Sequence, residues 1–432
     1  DPNTDVDLRF LEENVFESHR SEEYYNTESI VSERHRVLYN LIKNSHSVDE
    51  DHNRLLREIQ PNDKPEAYFK QTPFETDPTK LPMEKRCTKK PWSGYYWAIR
   101  YGILSLRYNE EIEQNSMYKL DDKGEKVTLS WKESINKFPQ PQDYTSALTK
   151  GGDINKYHNT LSASEKYDRL LCDPRFTLTN KMKERGKTVS KTADGDIDTW
   201  MGICHGWAIA SYLEEKPIRP VTVKNCDGIP ITFHPHDIMG LASLYWANAK
   251  YVSNFVGYRC RYADMEKIPT DPENGIWLDY SCFGINPATF HLIFTNQIGL
   301  KGKCFVFEPK VDYEIWNHPS SGYSFIYYHP VTRVIGTLEE SIISVEDALK
   351  ITDVPFLTFV LSKRSPCAAY LVAVKMTVYY IVENNPTVND IPQEEDEREV
   401  DYLYYLELDK DKKICGGEWR FNRSEERRVG KE

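Results

Sequence analysis

The stretch DTWMGICHGWAIASYLEEKP, residues 198–217, decides how the chain is read. Its apolar run predicts a helix from Asp198–Trp200 to about Glu215, closed by two charges and by Pro217, which cannot continue it. Gly202 is expected to let the backbone turn tightly ahead of Cys204. A cysteine on a first helical turn faces the positive end of the dipole and unclaimed N–H groups. Both favour the thiolate, and the N–H groups can donate to an oxyanion. Trp207, Ala208, Ser211 and Tyr212 are expected to face the core, and the competing reading of Cys204 is a buried structural cysteine. Asp194, Asp196 and Asp198 lie just upstream, and nearby carboxylates raise a thiol's pKa. As a calcium loop the trio would want Glu at the twelfth position counted from Asp194, where His205 stands, so it reads as an acidic turn before the helix.

A thiol that transfers acyl groups needs a proton carrier and a group to orient that carrier. The segment NPATFHLIFTNQIGLKGKCFVFEPK, residues 286–310, offers both. TFHLIF reads as a strand, NQIGLKGK as a turn and CFVFEP as a returning strand. Alternation then sets His291 and Glu308 on adjacent antiparallel strands, where the acid holds the imidazole's tautomer. The competing reading is a satisfied core histidine.

Working outward, residues 1–85 are polar and poor in strand signals. They carry one amphipathic helix near Ser29 to Asn44, a shorter one from Asn53 to Gln60, and a linker over 61–90. Residues 86–421 read as the catalytic domain, and 422–432 as a non-native tail with no apolar anchor. A further helix is expected after Asp237 as N-cap, and strands near 289–294, 304–308, 323–328, 355–362, 368–382 and 401–408.

Composition narrows the partners. The chain holds 55 basic and 67 acidic residues, a net charge of −12, with no long basic run outside the extreme C-terminus, so nucleic acid is not expected. The best apolar run, Ala368 to Val382, contains Lys375 and is too short to span a bilayer as a helix. The chain starts at Asp1 without a signal peptide and looks processed or trimmed. Nine cysteines occur with no C-x-x-C pair, which argues against a thiolate zinc site. With one set aside for catalysis an even number remains, which fits a disulfide framework in an oxidising compartment. Cys260–Cys282 is the first pair expected. No metal ligand set is expected.

The segments WMGICHGWA, NPATFH with TNQIGL, and EIWNHPSSGY closely resemble the elicitor-type transglutaminases of oomycetes and bacteria. PWSGYYWAIRYG at 91, FHPHDIMGLASL at 233 and YLYYLELDKDKKICGGEW at 402 agree in the same order. The resemblance implies an α+β fold with a papain-like or transglutaminase-like core. In it a Cys at a helix N-terminus packs on an antiparallel sheet carrying His and acid. It also implies a secreted protein-glutamine γ-glutamyltransferase that joins Gln and Lys of protein substrates. The family's nucleophile falls on Cys204, its base on His291, and its acid position on Glu308 with Asp312 as the alternative. Trp200, Gly202, Trp207 and Trp246 are expected about the oxyanion and an aromatic entrance. The family's plant-immunity epitope falls on Trp316, Asn317, His318, Pro319 and the residues to Tyr323, a stretch that otherwise reads as a surface turn. No cofactor is required, and calcium is possible. The alternatives are a cysteine protease or glutamine deamidase on the same scaffold, and a non-enzymatic recognition protein.

Overall fold

A computed structural model describes residues 74–420 apart from 109–117, 138–159, 190–191, 193–194, 250–255, 258–259, 261, 263–264, 270–281, 283, 311–312, 352–356, 358–359, 362–363 and 390–392. The helices expected at 29–44 and 53–60, Asp194, Asp312 and the tail lie outside the described residues. The described chain divides into two compact units, one of residues 92–251 and 382–396, the other of 74–91, 252–381 and 397–420.

The first unit is mainly helical. Its labelled helices are α1 (Ala163–Leu170), α2 (Thr177–Glu184), α3 (Cys204–Leu213) and α4 (Pro235–Asn248), and a two-stranded hairpin pairs Val221–Lys224 with Pro230–Phe233. Helix α1 starts on a capping box: the Ser162 hydroxyl accepts from the Glu165 amide while the Glu165 carboxylate accepts from the Ser162 amide. Helix α4 begins earlier than expected. Pro235 takes its first position, and Asp237, expected as N-cap, reaches back to accept from the His234 amide at 2.8 Å.

Asp237 is also the centre of a buried charge cluster. Lys166 and Asp237 pair at 2.5 Å with side chains 0% exposed, and the Tyr108 hydroxyl donates to the other carboxylate oxygen at 2.6 Å. Desolvating two charges is offset here by their direct pairing and by the further donors on the Asp237 carboxylate. Around it pack Trp97, Ile103, Leu104, Tyr167, Phe233, Leu241 and Leu244. Trp97 and Ile103 hold positive φ values of 49° and 55°, a costly conformation for bulky side chains that their burial in this core maintains.

The second unit is built on an antiparallel sheet of β1 (Glu84–Arg86), β2 (Val306–Phe307), β3 (His318–Tyr328), β4 (Tyr370–Ile381), β5 (Glu397–Leu408) and β6 (Ile414–Trp419). Its order is β1-β3-β4-β5-β6, with β2 on the first residues of β3. The central strand β4 buries one face along its length and both faces at its start, while further along the second face Lys375 is part-exposed and pairs with Asp401. Val372, Val374, Met376 and Val378 enter one core with Phe325, Tyr404 and Leu406, while Leu371 and Ala373 enter another with Leu357 and Leu361. The double burial at its start is why Leu371 to Val374 read as an unbroken apolar run.

The strand expected over 289–294 is instead helix α5 (Pro287–Ile293), which continues as a π-helical turn through Leu300. Asn286 decides this: its side chain accepts from the Ala288 amide at 2.9 Å, with Pro287 preset at the first position. Leu357, Val360 and Leu361, read as strand, are helical. The strand expected at 304–308 narrows to Val306–Phe307, and the segment read as a linker contains β1.

Candidate functional site

Helix α3 begins at Cys204 itself, later than Asp198–Trp200. The Ile203 carbonyl opens the helix by accepting from the Gly206 amide at 2.9 Å and the Trp207 amide at 3.1 Å. A first-position residue lies ahead of the intrahelical ladder, at the positive end of the dipole. The approach is pinned to a neighbouring segment: the Ile203 amide donates to the Tyr96 carbonyl at 2.7 Å, and the Ile99 amide to the Met201 carbonyl at 2.9 Å. A Cβ on Gly202 would lie 2.3 Å from the Tyr96 carbonyl oxygen. Close backbone approach therefore demands the glycine, and Gly202 is not among the positive-φ residues. Gly206 serves the same purpose one turn on, since its Cβ would meet the Ser243 carbonyl oxygen of α4 at 2.1 Å.

Cys204 is buried and unbridged, whereas six other cysteines form Cys172–Cys226, Cys260–Cys282 and Cys367–Cys415. Of the acidic residues upstream, Asp196 is ion-paired to Arg100 and accepts from the Trp131 amide, so its charge is met locally. Trp207 is fully buried, its indole donating to the Trp92 carbonyl at 3.2 Å, and Trp246 is buried with its indole on Glu214 at 2.9 Å. Both fill the core of the unit. Of the tryptophans expected at an entrance, Trp200 is the half-buried one. His205 is half-buried, and burial holds its imidazole below the ordinary value despite a bond to the Ala247 backbone.

His291 belongs to the second unit and lies on α5, not on a strand. Its ring is 0% exposed, edge-on to Phe325 at 4.7 Å between ring centres. Nδ1 shares a 2.8 Å hydrogen bond with the Tyr404 hydroxyl, while Nε2 is buried with no hydrogen-bond partner. Burial alone drives the imidazole's pKa down to about 3, so the ring is neutral at ordinary pH. Burial also pushes the Tyr404 hydroxyl well above its ordinary value, which keeps it protonated.

The expected pairing of His291 with Glu308 is not formed. The Glu308 carboxylate accepts from the Trp316 and Lys310 amides, holding the loop that leads into β3. The surface turn expected over 316–323 is instead the entry to that strand. Trp316 and Asn317 are half-buried, Pro319 is buried opposite Val306, and His318 sits against Tyr380 with Nδ1 3.2 Å from the Ile381 carbonyl oxygen.

A profile of the Transglutaminase elicitor family matches residues 63–428. The chain belongs to that family. Among solved structures it is similar to the GP42 transglutaminase from Phytophthora sojae, at 21% identity and a TM-score of 0.48, over 85% of this chain and 88% of that one. No curated protein matches it.

Sequence reasoning missed two residues that set the candidate site. Tyr404 supplies the only hydrogen bond described for the His291 ring. Its signal was alternation along YLYYLEL, which turns Tyr404 and Leu406 to the same core. Tyr96 supplies the carbonyl that fixes the loop before Cys204. Among the described residues the one group with metal-ligand spacing is Cys172, Cys226 and Asp227, and its two sulfurs are joined in a disulfide. Among the described residues no helix is long and apolar enough to cross a membrane.

Proposed function

We propose that this member of the family is a secreted protein-glutamine γ-glutamyltransferase working through a thioester at Cys204. The observation that carries the proposal is an unbridged cysteine at the first position of α3, in a loop whose glycine cannot be replaced without moving it. The Cys204 thiolate attacks the γ-carboxamide of a protein-bound Gln, and ammonia leaves with a proton from the carrier. The amine of an incoming Lys then displaces the sulfur and gives an isopeptide bond. The Cys204 amide and the Trp200 indole are the proposed oxyanion donors. His291 is the proposed proton carrier on the family resemblance alone. Its free nitrogen is Nε2, and Tyr404 rather than Glu308 holds the ring. Three disulfides support an oxidising, extracellular setting.

The test is incorporation of an amine into a Gln peptide by wild type and Cys204→Ala, with and without calcium. Loss of at least about a thousandfold in Cys204→Ala, with an unchanged melting temperature, is expected. Equal activity in both proteins refutes the proposal, and hydrolysis in place of transfer moves it to a deamidase. A second reading, a non-enzymatic recognition protein, is favoured by the burial of His291 and by its separation from Glu308. It predicts a folded wild type inert towards both amine and water.

A further inference from the structure

Three cysteines are unbridged, and two of them are neighbours. Cys87 follows β1 directly, and Cys304 lies between the π-helical turn and β2. Their backbones are locked together in the second unit. The Cys87 amide donates to the Ser321 carbonyl at 2.9 Å, the Thr88 amide to the Gly302 carbonyl at 2.9 Å, and the Ser320 amide to the Phe305 carbonyl at 2.9 Å. The Cys87 sulfur points at the Ser320 carbonyl oxygen, 3.4 Å away, and the Cys304 sulfur at the Lys89 carbonyl oxygen, 3.3 Å away. The Cys304 thiol thus reaches the segment of Cys87, the Cys87 thiol reaches the strand paired with Phe305, and the two thiols are within hydrogen-bonding reach of one another.

We propose that Cys87 and Cys304 form a fourth disulfide, which ties the segment after β1 to the strand at the edge of the sheet and leaves Cys204 as the single thiol of the mature chain. The placement of the pair is independent of catalysis, and only the identity of the remaining thiol touches the function proposed above. The oxidant is a small or protein disulfide such as oxidised glutathione. One cysteine thiolate attacks it, forming a mixed disulfide and releasing one glutathione thiolate. The second cysteine thiolate then attacks the protein sulfur of that mixed disulfide and expels the other glutathione. Two electrons pass to the oxidant, and the two cysteine protons end on the two glutathiones. In the folded protein, the hydrogen bond with the Cys304 thiol, and then burial, hold Cys87 far above the ordinary thiol range. The thiolate is the attacking species, so closure is fastest while the chain is still folding.

The test is mass analysis of the full chain, purified from an oxidising secretory host and then held in oxidised glutathione. It is unfolded without reductant, alkylated and digested. One alkylated cysteine per chain, Cys204, and a linked peptide joining Cys87 to Cys304 are expected. Alkylation of Cys87 and Cys304 in chains whose other three bridges are closed overturns the proposal, as does either residue linked elsewhere. The Cys87→Ser/Cys304→Ser double variant is expected to melt roughly 5 °C lower than wild type, with amine incorporation unchanged if Cys204 is the nucleophile. An unchanged melting point also counts against the bridge. Loss of incorporation by Cys204→Ala is read separately, so failure of either idea leaves the other distinguishable.

Discussion

Helices α3 and α5 invite a direct comparison, because each carries a residue expected to do chemistry. In α3 that residue is Cys204, at the first position, beside a loop held by backbone bonds to Tyr96 and Met201. In α5 it is His291, four residues past Pro287, inside a core of aromatic and aliphatic side chains. Position along a helix makes the difference. The first residue lies ahead of the ladder at the positive end of the dipole, whereas His291, mid-helix on the buried face, meets packing and one hydroxyl, that of Tyr404. The two helices thus give one unbridged thiol the setting of a nucleophile and one imidazole the setting of a core side chain.

The harshest way to break the first half is Gly206→Ala. The added Cβ would collide with the Ser243 carbonyl and push α3 off α4, so unfolding in urea is expected to show a loss of about 3 kcal/mol. A milder change, Gly202→Ala, acts on the loop through the Tyr96 carbonyl and should displace Cys204 without unfolding the unit. Amine incorporation is expected to fall on the order of a hundredfold while the melting point drops little. Equal losses in both assays would show that the loop serves stability alone.

The second half is sharpened by pH. His291 titrates near 6.5 when unfolded and at about 3 when folded, so between these values the unfolded chain binds the extra proton. Stability is therefore complete above the unfolded value and is lost as pH falls towards the folded one, at up to about 1.4 kcal/mol per pH unit. His318, held at about 4 by burial, adds a similar slope over its own narrower window. His291→Gln should flatten the curve by the first amount, measured by denaturant unfolding across that range. The smallest effect is expected from Asn286→Ala, which removes the cap of α5 for about 1 kcal/mol.

The same contrast explains what could be read from the amino-acid sequence. The α3 region was legible because a glycine, a cysteine and a terminating proline are local signals, although the helix start slipped to Cys204 itself. Strands β4 and β5 were legible because β-branched and aromatic residues run unbroken along them. The α5 region was misread because TFHLIF has a strand's composition, while the deciding signal was the Asn286–Pro287 pair, a helix cap and a helix start. With the wrong element came the wrong partner: alternation put Glu308 beside His291, where the fold puts Tyr404. That partner is 113 residues further along the chain, and only the pairing of β5 in the sheet brings it to the ring. Long-range pairings of that kind leave no local trace.

The central claim is that Cys204 is a nucleophile and not a structural cysteine. The most direct measurement is the pH dependence of alkylation at the Cys204 peptide of the folded chain, followed by mass. The account predicts a midpoint at least one pH unit below the ~8.5 of an ordinary thiol. A rate that rises only at or above that value would contradict it.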